Sequence, residues 1–272
     1  MRWITARRRH PAAGYAVVLL MLVAIGVAYA AVTGAGSRAS AAQPAVADQR
    51  QIAEGQRLFN TNCQTCHGLA AQGRPGIAPS LIGVGAAAVD FQVSTGRMPA
   101  KQLAAENPRK PVSFTTAQTH ALAAYIASLA GGPAIPAPAQ VSAAGTKVSV
   151  GQQLFIANCA QCHNFVGAGG ALTYGKFAPA LTDSTPTQIY EAMLTGPEAM
   201  PVFNDTTITP QNKRDIIAYV TQTRSSPNPG GFSLGRIGPV TEGLVAFLGL
   251  LFFMVLAAMW ITMKHGKTNA HE

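Results

Sequence analysis

All four cysteines of the chain lie in two short motifs that also contain a histidine. The first motif occupies residues 63–67 (Cys-Gln-Thr-Cys-His) and the second occupies residues 159–163 (Cys-Ala-Gln-Cys-His). A Cys-x-x-Cys-His sequence is typical of covalent haem c attachment, in which both thiols bond to the haem and the histidine binds the iron. The chain is therefore predicted to carry two covalently bound haems c, and so to transfer electrons. The predicted residues are Cys63, Cys66 and His67 for haem 1, and Cys159, Cys162 and His163 for haem 2.

Three other interpretations of the cysteines are weaker. Structural zinc ligands usually lie a few to about twenty residues apart, whereas the two motifs begin 96 positions apart, at Cys63 and Cys159. A disulfide framework does not require a histidine after each second cysteine. A thioredoxin-like dithiol should lie within a βαβ pattern, and no alternating strand pattern surrounds either motif.

The two motifs belong to an internal duplication, which should be recognised first because it sets the architecture. Gly55-Gln-Arg-Leu-Phe59 precedes the first motif, and Gly151-Gln-Gln-Leu-Phe155 precedes the second at the same offset. Each unit closes on an apolar segment of helical periodicity, predicted to begin after Thr115 or Thr209 as the N-cap. The closing helices are expected over residues 116–129 and 210–223.

A methionine is the usual second iron ligand beside histidine in cytochromes c, and it raises the redox potential. Met98 follows His67 by 31 residues, and Met200 follows His163 by 37 residues, each in a Met-Pro sequence within a loop-like stretch. They are the predicted second ligands of haem 1 and haem 2. Met193 is the competitor in the second unit, but it lies in a helical stretch where core packing is the more common role.

Apolar segments near both ends of the chain are candidate membrane helices. The first, residues 11–32, follows Arg7-Arg8-Arg9 and is a signal peptide or a retained signal anchor. Its length of about 20 residues suffices to span a bilayer, but small-x-small sequences ending at Ala30 and Ala41 leave cleavage open. The second, residues 240–263, precedes Lys264 and Lys267. The positive-inside rule places both basic ends in the cytoplasm, with everything between them outside.

The distribution of charge argues against nucleic acid as a partner, although the formal net charge is +9. Residues 1–9 hold four basic and no acidic residues, and residues 147–224 hold five of each. Residues 38–131 hold eight basic and four acidic residues, a surplus that could face haem propionates or an acidic redox partner. No basic sequence with interleaved aromatic residues accompanies them.

The order of a helix, Cys-x-x-Cys-His, an irregular loop, Met-Pro and a closing helix resembles the class I cytochrome c fold. The resemblance implies an all-α protein with two tandem class I cytochrome c domains. It also implies that the first and last helices of each domain cross through a Gly/aromatic face: Gly55 and Phe59 against Tyr125, and Gly151 and Phe155 against Tyr219. Pro79 and Pro179 match the family's proline whose carbonyl orients the iron-binding histidine.

These considerations divide the chain into consecutive segments. The first half is predicted to hold a signal peptide or signal-anchor helix, a linker, the first cytochrome c domain (domain 1) and a Pro/Ala-rich linker, at residues 1–33, 34–47, 48–130 and 131–146. The second half is predicted to hold the second cytochrome c domain (domain 2), a linker, a transmembrane helix and a cytoplasmic tail, at residues 147–224, 225–239, 240–263 and 264–272.

Taken over nearly its whole length, the chain resembles the dihaem cytochrome c subunit of actinobacterial cytochrome bc complexes. The resemblance implies a plasma-membrane electron-transfer subunit of a menaquinol–cytochrome c reductase. Its partners would be cytochrome b, the Rieske iron–sulfur protein and a terminal cytochrome c oxidase in a supercomplex. The chain alone would perform no substrate chemistry.

Other dihaem proteins are the alternatives. A dihaem subunit of a cbb-type oxidase usually has its anchor before the haem domains, which the second apolar segment disfavours. The cytochrome subunit of a membrane-bound dehydrogenase or of a thiosulfate-oxidising enzyme stays open. A dihaem peroxidase needs a displaceable ligand on one iron, and two Met-Pro candidates argue against that.

Overall fold

The computed structural model describes residues 11–34, 49–104, 106–226, 234 and 239–268. Residues 1–47 and residues 48–272 form two separate compact units. In the first unit, the described element is helix α1 (Pro11–Gly34), whose described side chains from Tyr15 to Ala28 are apolar or small and exposed. The second unit contains both haem motifs and two distinct hydrophobic cores, one in each predicted domain.

Domain 1 is helical. Its elements are α2 (Gln49–Asn62), α3 (Gln64–His67), α4 (Gly85–Ser94) and α5 (Thr116–Leu129). Helix α5 begins at the predicted position because the Thr115 side chain accepts a hydrogen bond from the Gln118 backbone, while the Gln118 side chain accepts one from the Thr115 backbone.

Domain 2 repeats this arrangement and adds a small hairpin. Its elements are α7 (Val148–Asn158), α8 (Ala160–His163), β1 (Gly170–Ala171), a 3-10 turn (Thr173–Gly175), β2 (Phe177–Ala178), α9 (Pro186–Thr195) and α10 (Pro210–Ser225). Strands β1 and β2 pair in antiparallel register, with Gly170 opposite Ala178. The closing helix α10 is capped by Thr209 as predicted, and it continues two residues beyond the expected end.

In both domains the first and last helices cross at a glycine. A Cβ atom at Gly55 would collide with the Ala121 backbone of α5, and one at Gly151 would collide with the Asp215 backbone of α10. The adjacent aromatic rings pack against each other, with centroid distances of 5.4 Å for Phe59–Tyr125 and 5.3 Å for Phe155–Tyr219. These are the pairs that the resemblance implied.

The segment between the domains is packed rather than free. It contains helix α6 (Pro138–Val141), which precedes α7 in the chain. At its start the Pro133 carbonyl accepts a hydrogen bond from the Ala87 backbone of domain 1, and at its end the Gln140 side chain donates to the Tyr190 hydroxyl of domain 2. The prediction of a Pro/Ala-rich linker from composition did not include these contacts.

Domains 1 and 2 also meet directly, through α4 and α9. The Gln188 amide donates to the Ser94 hydroxyl at 3.1 Å, and the Arg109 guanidinium donates to Gln188 Oε1 at 3.1 Å. Two carboxyl groups, Asp90 and Glu191, are buried where these helices pack. No N–H or hydroxyl donor of the described residues reaches either Glu191 oxygen; the Asp90 carboxyl acts on Glu191 electrostatically and through a hydrogen bond that forms when one of the two groups is protonated.

Helix α11 (Pro239–Thr268) follows domain 2. Among the helical stretches whose side chains the structure describes, Thr241–Met263 alone is long and apolar enough to cross a membrane (23 residues, mean hydropathy 2.7). In α1 the described side chains are those of Tyr15–Ala28. None of the Thr241–Met263 stretch of α11 is buried against the protein, which fits a membrane anchor. The helix continues five residues into the predicted tail. Several predicted features lie outside the described residues. They are the side chains of Arg7–Arg9, Lys264 and Lys267, the second cleavage candidate at Ala41, and most of the linkers at residues 34–47 and 225–239.

Candidate haem sites

The first motif forms a single helical turn, α3, directly after α2. The His67 backbone amide donates to the Cys63 carbonyl at 3.0 Å, which closes this turn and directs the imidazole inward. The ring is buried, and its Nδ1 lies 2.9 Å from the Pro79 carbonyl oxygen. A donor hydrogen at Nδ1 leaves Nε2 as the free metal-binding atom, so the histidine is oriented before any iron is bound.

Met98 lies in the loop after α4 and packs against the same domain 1 core as Cys63. Three hydrogen bonds hold this loop. The Met98 amide donates to the Gln92 carbonyl at 2.9 Å, and the Lys110 ammonium donates to the carbonyls of Gly96 and Arg97. A methionine on a tethered loop is suitable for a fixed ligand position.

The second motif has the same local geometry in α8. His163 Nδ1 lies 2.9 Å from the Pro179 carbonyl oxygen. Burial lowers the pKa of His163, and the hydrogen bond to the Pro179 carbonyl opposes that shift only in part. The neutral imidazole is the form that binds a metal.

An open cavity lies beside this motif. Cofactor pockets are mostly apolar, with a few convergent polar groups. Cys159, Cys162, His163 and Met200 all border the cavity. Apolar side chains complete its lining, among them Leu172, Phe177, Leu181, Ile189, Phe203 and Ile216. The residues present therefore fit a flat apolar macrocycle attached through two thiols and held between a histidine and a thioether.

Met193 and Met200 both border the cavity, so position alone does not separate the two ligand candidates. Met193 belongs to α9, is 2 % exposed and is part of the domain 2 core. Met200 lies in the loop after α9, is half-buried and packs against that core from outside. The loop position favours Met200 as the ligand and Met193 as packing.

The thiols do not have the properties of a redox dithiol. Burial, and secondarily the neighbouring Cys66, raises the pKa of Cys63 to about 11; burial and Cys162 raise the pKa of Cys159 to about 12. Catalytic Cys-x-x-Cys pairs have a lowered thiol pKa instead. Across the described part of the chain, no group of three or more His, Cys, Asp and Glu side chains could hold a metal ion, so the zinc interpretation gains no support.

Comparison with known proteins gives one family match in each of the two regions that contain a haem motif. Residues 52–130 match the family described as Cytochrome c, and residues 146–220 match the family described as Cytochrome C oxidase, cbb3-type, subunit III. The cytochrome bc1 complex cytochrome c subunit of Corynebacterium efficiens is 43 % identical over 267 residues, which are 93 % of this chain and 89 % of that protein. The protein of the same name from Mycobacterium tuberculosis (strain H37Rv) is 43 % identical over 265 residues, 94 % of this chain and 93 % of that protein.

The chain belongs to the family of cytochrome bc1 complex cytochrome c subunits. It is an electron-transfer cytochrome of mostly helical fold with covalently bound haem c, as the sequence predicted. Similarity to the cbb3 group is partial: the cbb3-type cytochrome c oxidase subunit FixPc of Rhizobium leguminosarum is 32 % identical over 142 residues, which are 49 % of this chain and 45 % of that protein. The cbb-type alternative therefore covers only half of the chain.

The cavity also contains charged residues that the sequence did not single out. Arg97 and Glu106 reach it from domain 1, and Glu198 reaches it from the loop before Met200. One signal was available: the second unit has Pro197-Glu198-Ala199 where the first has Arg97 alone between Gly and Met. Such a difference between repeats marks positions at which the two sites are not equivalent.

Proposed function

We propose that this chain carries electrons from the cytochrome b and Rieske iron–sulfur subunits of a menaquinol–cytochrome c reductase to a terminal oxidase. The observation that carries the proposal is the cavity of domain 2, which collects two thiols, an oriented histidine and a thioether in an apolar lining. The curated relatives are named as cytochrome c subunits of the cytochrome bc1 complex, which supports a reductase as the assembly.

In this proposal each domain holds one haem through residues at matched positions. The thiols of Cys63 and Cys66 attach haem 1, and those of Cys159 and Cys162 attach haem 2. His67 with Met98 would bind the iron of haem 1, and His163 with Met200 would bind the iron of haem 2. Bound haem supplies a one-electron couple, and thioether ligation sets that couple at a fairly positive potential.

The chain's own residues fix the orientation of the two histidines. The carbonyls of Pro79 and Pro179 hold the Nδ1 hydrogens, so that neither imidazole can rotate away from its site. Two sites within one compact unit make a short relay, and the packed linker keeps them close. The chain is then the electron-transfer subunit of an oxidoreductase, and substrate chemistry belongs to the other subunits.

We further propose the topology that the charges suggested. The Thr241–Met263 stretch of α11 anchors the chain in the plasma membrane. Domains 48–130 and 147–224 lie on the outer face, and residues 264–272 lie in the cytoplasm. Residues 1–33 act as a signal or a second anchor, and if they are retained the N-terminus is cytoplasmic as well. A membrane anchor confines the haems near integral partners and so raises their effective concentration.

The test compares quinol-driven oxygen uptake by membranes that contain three forms of the chain and no other c-type cytochrome. The forms are the wild type, a deletion of residues 240–263, and a replacement of those residues by an unrelated apolar helix of equal length. At equal haem content, we expect the deletion to lose most of the uptake and the replacement to retain it. Undiminished uptake by the deletion would favour a freely diffusing carrier or a dehydrogenase subunit.

A further inference from the structure

Arg97 belongs to domain 1, but its side chain borders the cavity of domain 2. The residue is 6 % exposed, and its Nη1 atom is buried with no hydrogen-bond partner among the described residues. An unpaired guanidinium nitrogen is costly to bury, since it has lost water without gaining an acceptor. Such a group calls for a partner that the protein itself does not supply.

The nearby protein groups do not satisfy this cation. The Phe91 ring lies 5.0 Å from the guanidinium carbon and offers a cation–π contact, which leaves the N–H donors unused. The Glu198 carboxylate accepts from the Asn107 amide at 2.6 Å, and the Glu106 carboxylate accepts from the Phe177 amide at 3.1 Å. Neither forms an ion pair within 4.0 Å of Arg97 in the described part of the chain.

Arg97 keeps its positive charge, since guanidinium groups stay protonated in proteins. The cavity therefore contains a permanent positive charge directed at the space that haem 2 would fill.

We propose that Arg97 of domain 1 binds a propionate carboxylate of the haem attached to domain 2. Propionates are the only anionic side groups of haem, and a planar guanidinium matches a carboxylate through two parallel hydrogen bonds. The inference rests on the proposed function, because it needs haem 2 in the cavity of Cys159, Cys162 and His163. It adds a positioning residue that comes from the other domain.

The placement of Arg97 in the chain gives this contact a second role. Arg97 immediately precedes Met98, and the Lys110 ammonium holds its carbonyl at 2.7 Å. The backbone that carries the second ligand of haem 1 therefore also carries the group that binds haem 2. Domain 2 has no arginine at the matching position, because Pro197-Glu198-Ala199 occupies that stretch.

The test measures the midpoint potential of each haem between pH 5 and pH 11 in the full-length, detergent-solubilised chain, a range that extends beyond the ordinary pKa of a lysine, about 10.4. The variants are Arg97→Gln, Arg97→Lys and, as a charge-matched control, Lys101→Gln, which removes an exposed cation from the same loop. A chain with Cys159→Ala and Cys162→Ala assigns the potential of haem 1. Redox difference infrared spectra record protonation of the propionates.

We expect Arg97→Gln to lower the potential of haem 2, because a lost positive charge favours the oxidised iron. The expected shift in the redox equilibrium is about three- to tenfold, and tenfold corresponds to about 59 mV for one electron. The potential should also become pH-dependent below neutral pH, with a new protonated-carboxyl band in the infrared spectrum. Arg97→Lys should restore the potential at neutral pH and lose it as the lysine deprotonates, and Lys101→Gln should leave both haems unchanged.

Selective loss of haem 2 in Arg97→Gln, with retention in Arg97→Lys, would also support the contact. If the Arg97→Gln chain does not accumulate, the Arg97→Lys chain provides the test. A haem 2 potential that does not fall as the pH rises and the lysine deprotonates would overturn the inference. Two results would overturn the Arg97 inference and leave the proposed function standing. One is an Arg97→Gln chain with two covalent haems and an unchanged haem 2 potential, and the other is a potential shift confined to haem 1. A wild-type chain without covalent haem would overturn the proposed function as well.

Discussion

Domain 1 and domain 2 share a helical frame and differ in the loops around their haem sites. In both, a glycine lets the first helix cross the last, an aromatic pair packs beside it, and a proline carbonyl holds the histidine. The histidine and that proline are 12 residues apart in domain 1 and 16 in domain 2. The additional residues accompany the β1–β2 hairpin, whose Phe177 borders the cavity and bonds to Glu106 of domain 1.

The comparison separates two kinds of constraint. Helix crossing depends on close packing, which tolerates almost no change in volume, and so both copies keep it. Loop length is limited far less by the core, so domain 2 could acquire a hairpin and Glu198 that face its neighbour. Duplicated units thus keep the frame and diverge where they meet.

The largest expected effect comes from the covalent attachment. Cys66→Ala and Cys162→Ala should each impair haem attachment at its own site and lower the haem that the denatured chain retains, because a single thiol can form only one of the two thioether bonds. Mass spectrometry and haem staining under denaturing conditions measure this. Ser80→Ala, which removes a hydroxyl from an exposed residue of the same loop region, is the control and should keep both haems. A chain that holds stoichiometric zinc and no haem would contradict the assignment.

Ligand substitution should reveal whether the two irons are equivalent. Met98→Ala and Met200→Ala should each lower the potential of one haem, by a substantial part of the roughly 0.8 V range that axial ligands set, and admit an exogenous ligand to that iron. Spectroelectrochemistry and carbon monoxide binding measure the two effects. Met193→Leu is the matched control, since it conserves volume within the core. If Met193→Leu behaved as Met200→Ala is expected to, the ligand assignment in domain 2 would be wrong.

The helix crossing can be broken in either copy. Gly55→Val and Gly151→Val should each destabilise by about 3 kcal/mol or more, because the added side chain meets the backbone of the partner helix. Urea unfolding of the full-length chain, followed by circular dichroism, measures the change. Gly131→Ala meets no atom within 4 Å and should have little effect. Equal stability of all three variants would show that the crossing is not close-packed.

The interface between the domains has a smaller, pH-dependent effect. Burial, and then the Asp90 carboxylate, raises the pKa of Glu191 from an ordinary 4.5 to about 10. At a pH between these two values the Glu191 carboxyl is ionised in the unfolded chain but keeps its proton in the folded chain. The stability of the folded chain therefore falls as the pH rises through this range. Glu191→Gln should remove that slope and stabilise the chain at pH 7 by about 1–3 kcal/mol.

Thermal unfolding at pH 5 and pH 8 checks this prediction. The exposed Asp183→Asn is the control and should keep the wild-type slope. Asp90 also has a second neighbour, because His120 Nε2 lies 3.6 Å from its Oδ1. If stability of the Glu191→Gln chain kept the wild-type dependence on pH, that dependence would come from a group other than Glu191.

The features that the sequence predicted are those encoded locally. The Thr115 and Thr209 caps lie where the hydroxyl precedes the apolar segment, and repetition exposed both motifs and the methionine loops. Strands of two residues leave no periodicity to read, so the hairpin was missed. Arg97, Asp90 and Glu191 were missed because their burial depends on the neighbouring domain, and no pattern within one helix specifies that partner.

The packed linker limits how much the distance between the two domains can vary, and so how much the rate of electron transfer between the haems can vary. A free chain of this length would let the domains sample a broad range of separations, as flexible linkers do. Pro133 is bonded to one domain and Gln140 to the other, and so the separation is set by packing. Electron tunnelling decays exponentially with distance, so a broad range of separations would give a broad spread of rates. Transfer between the two haems should therefore follow a single exponential in time.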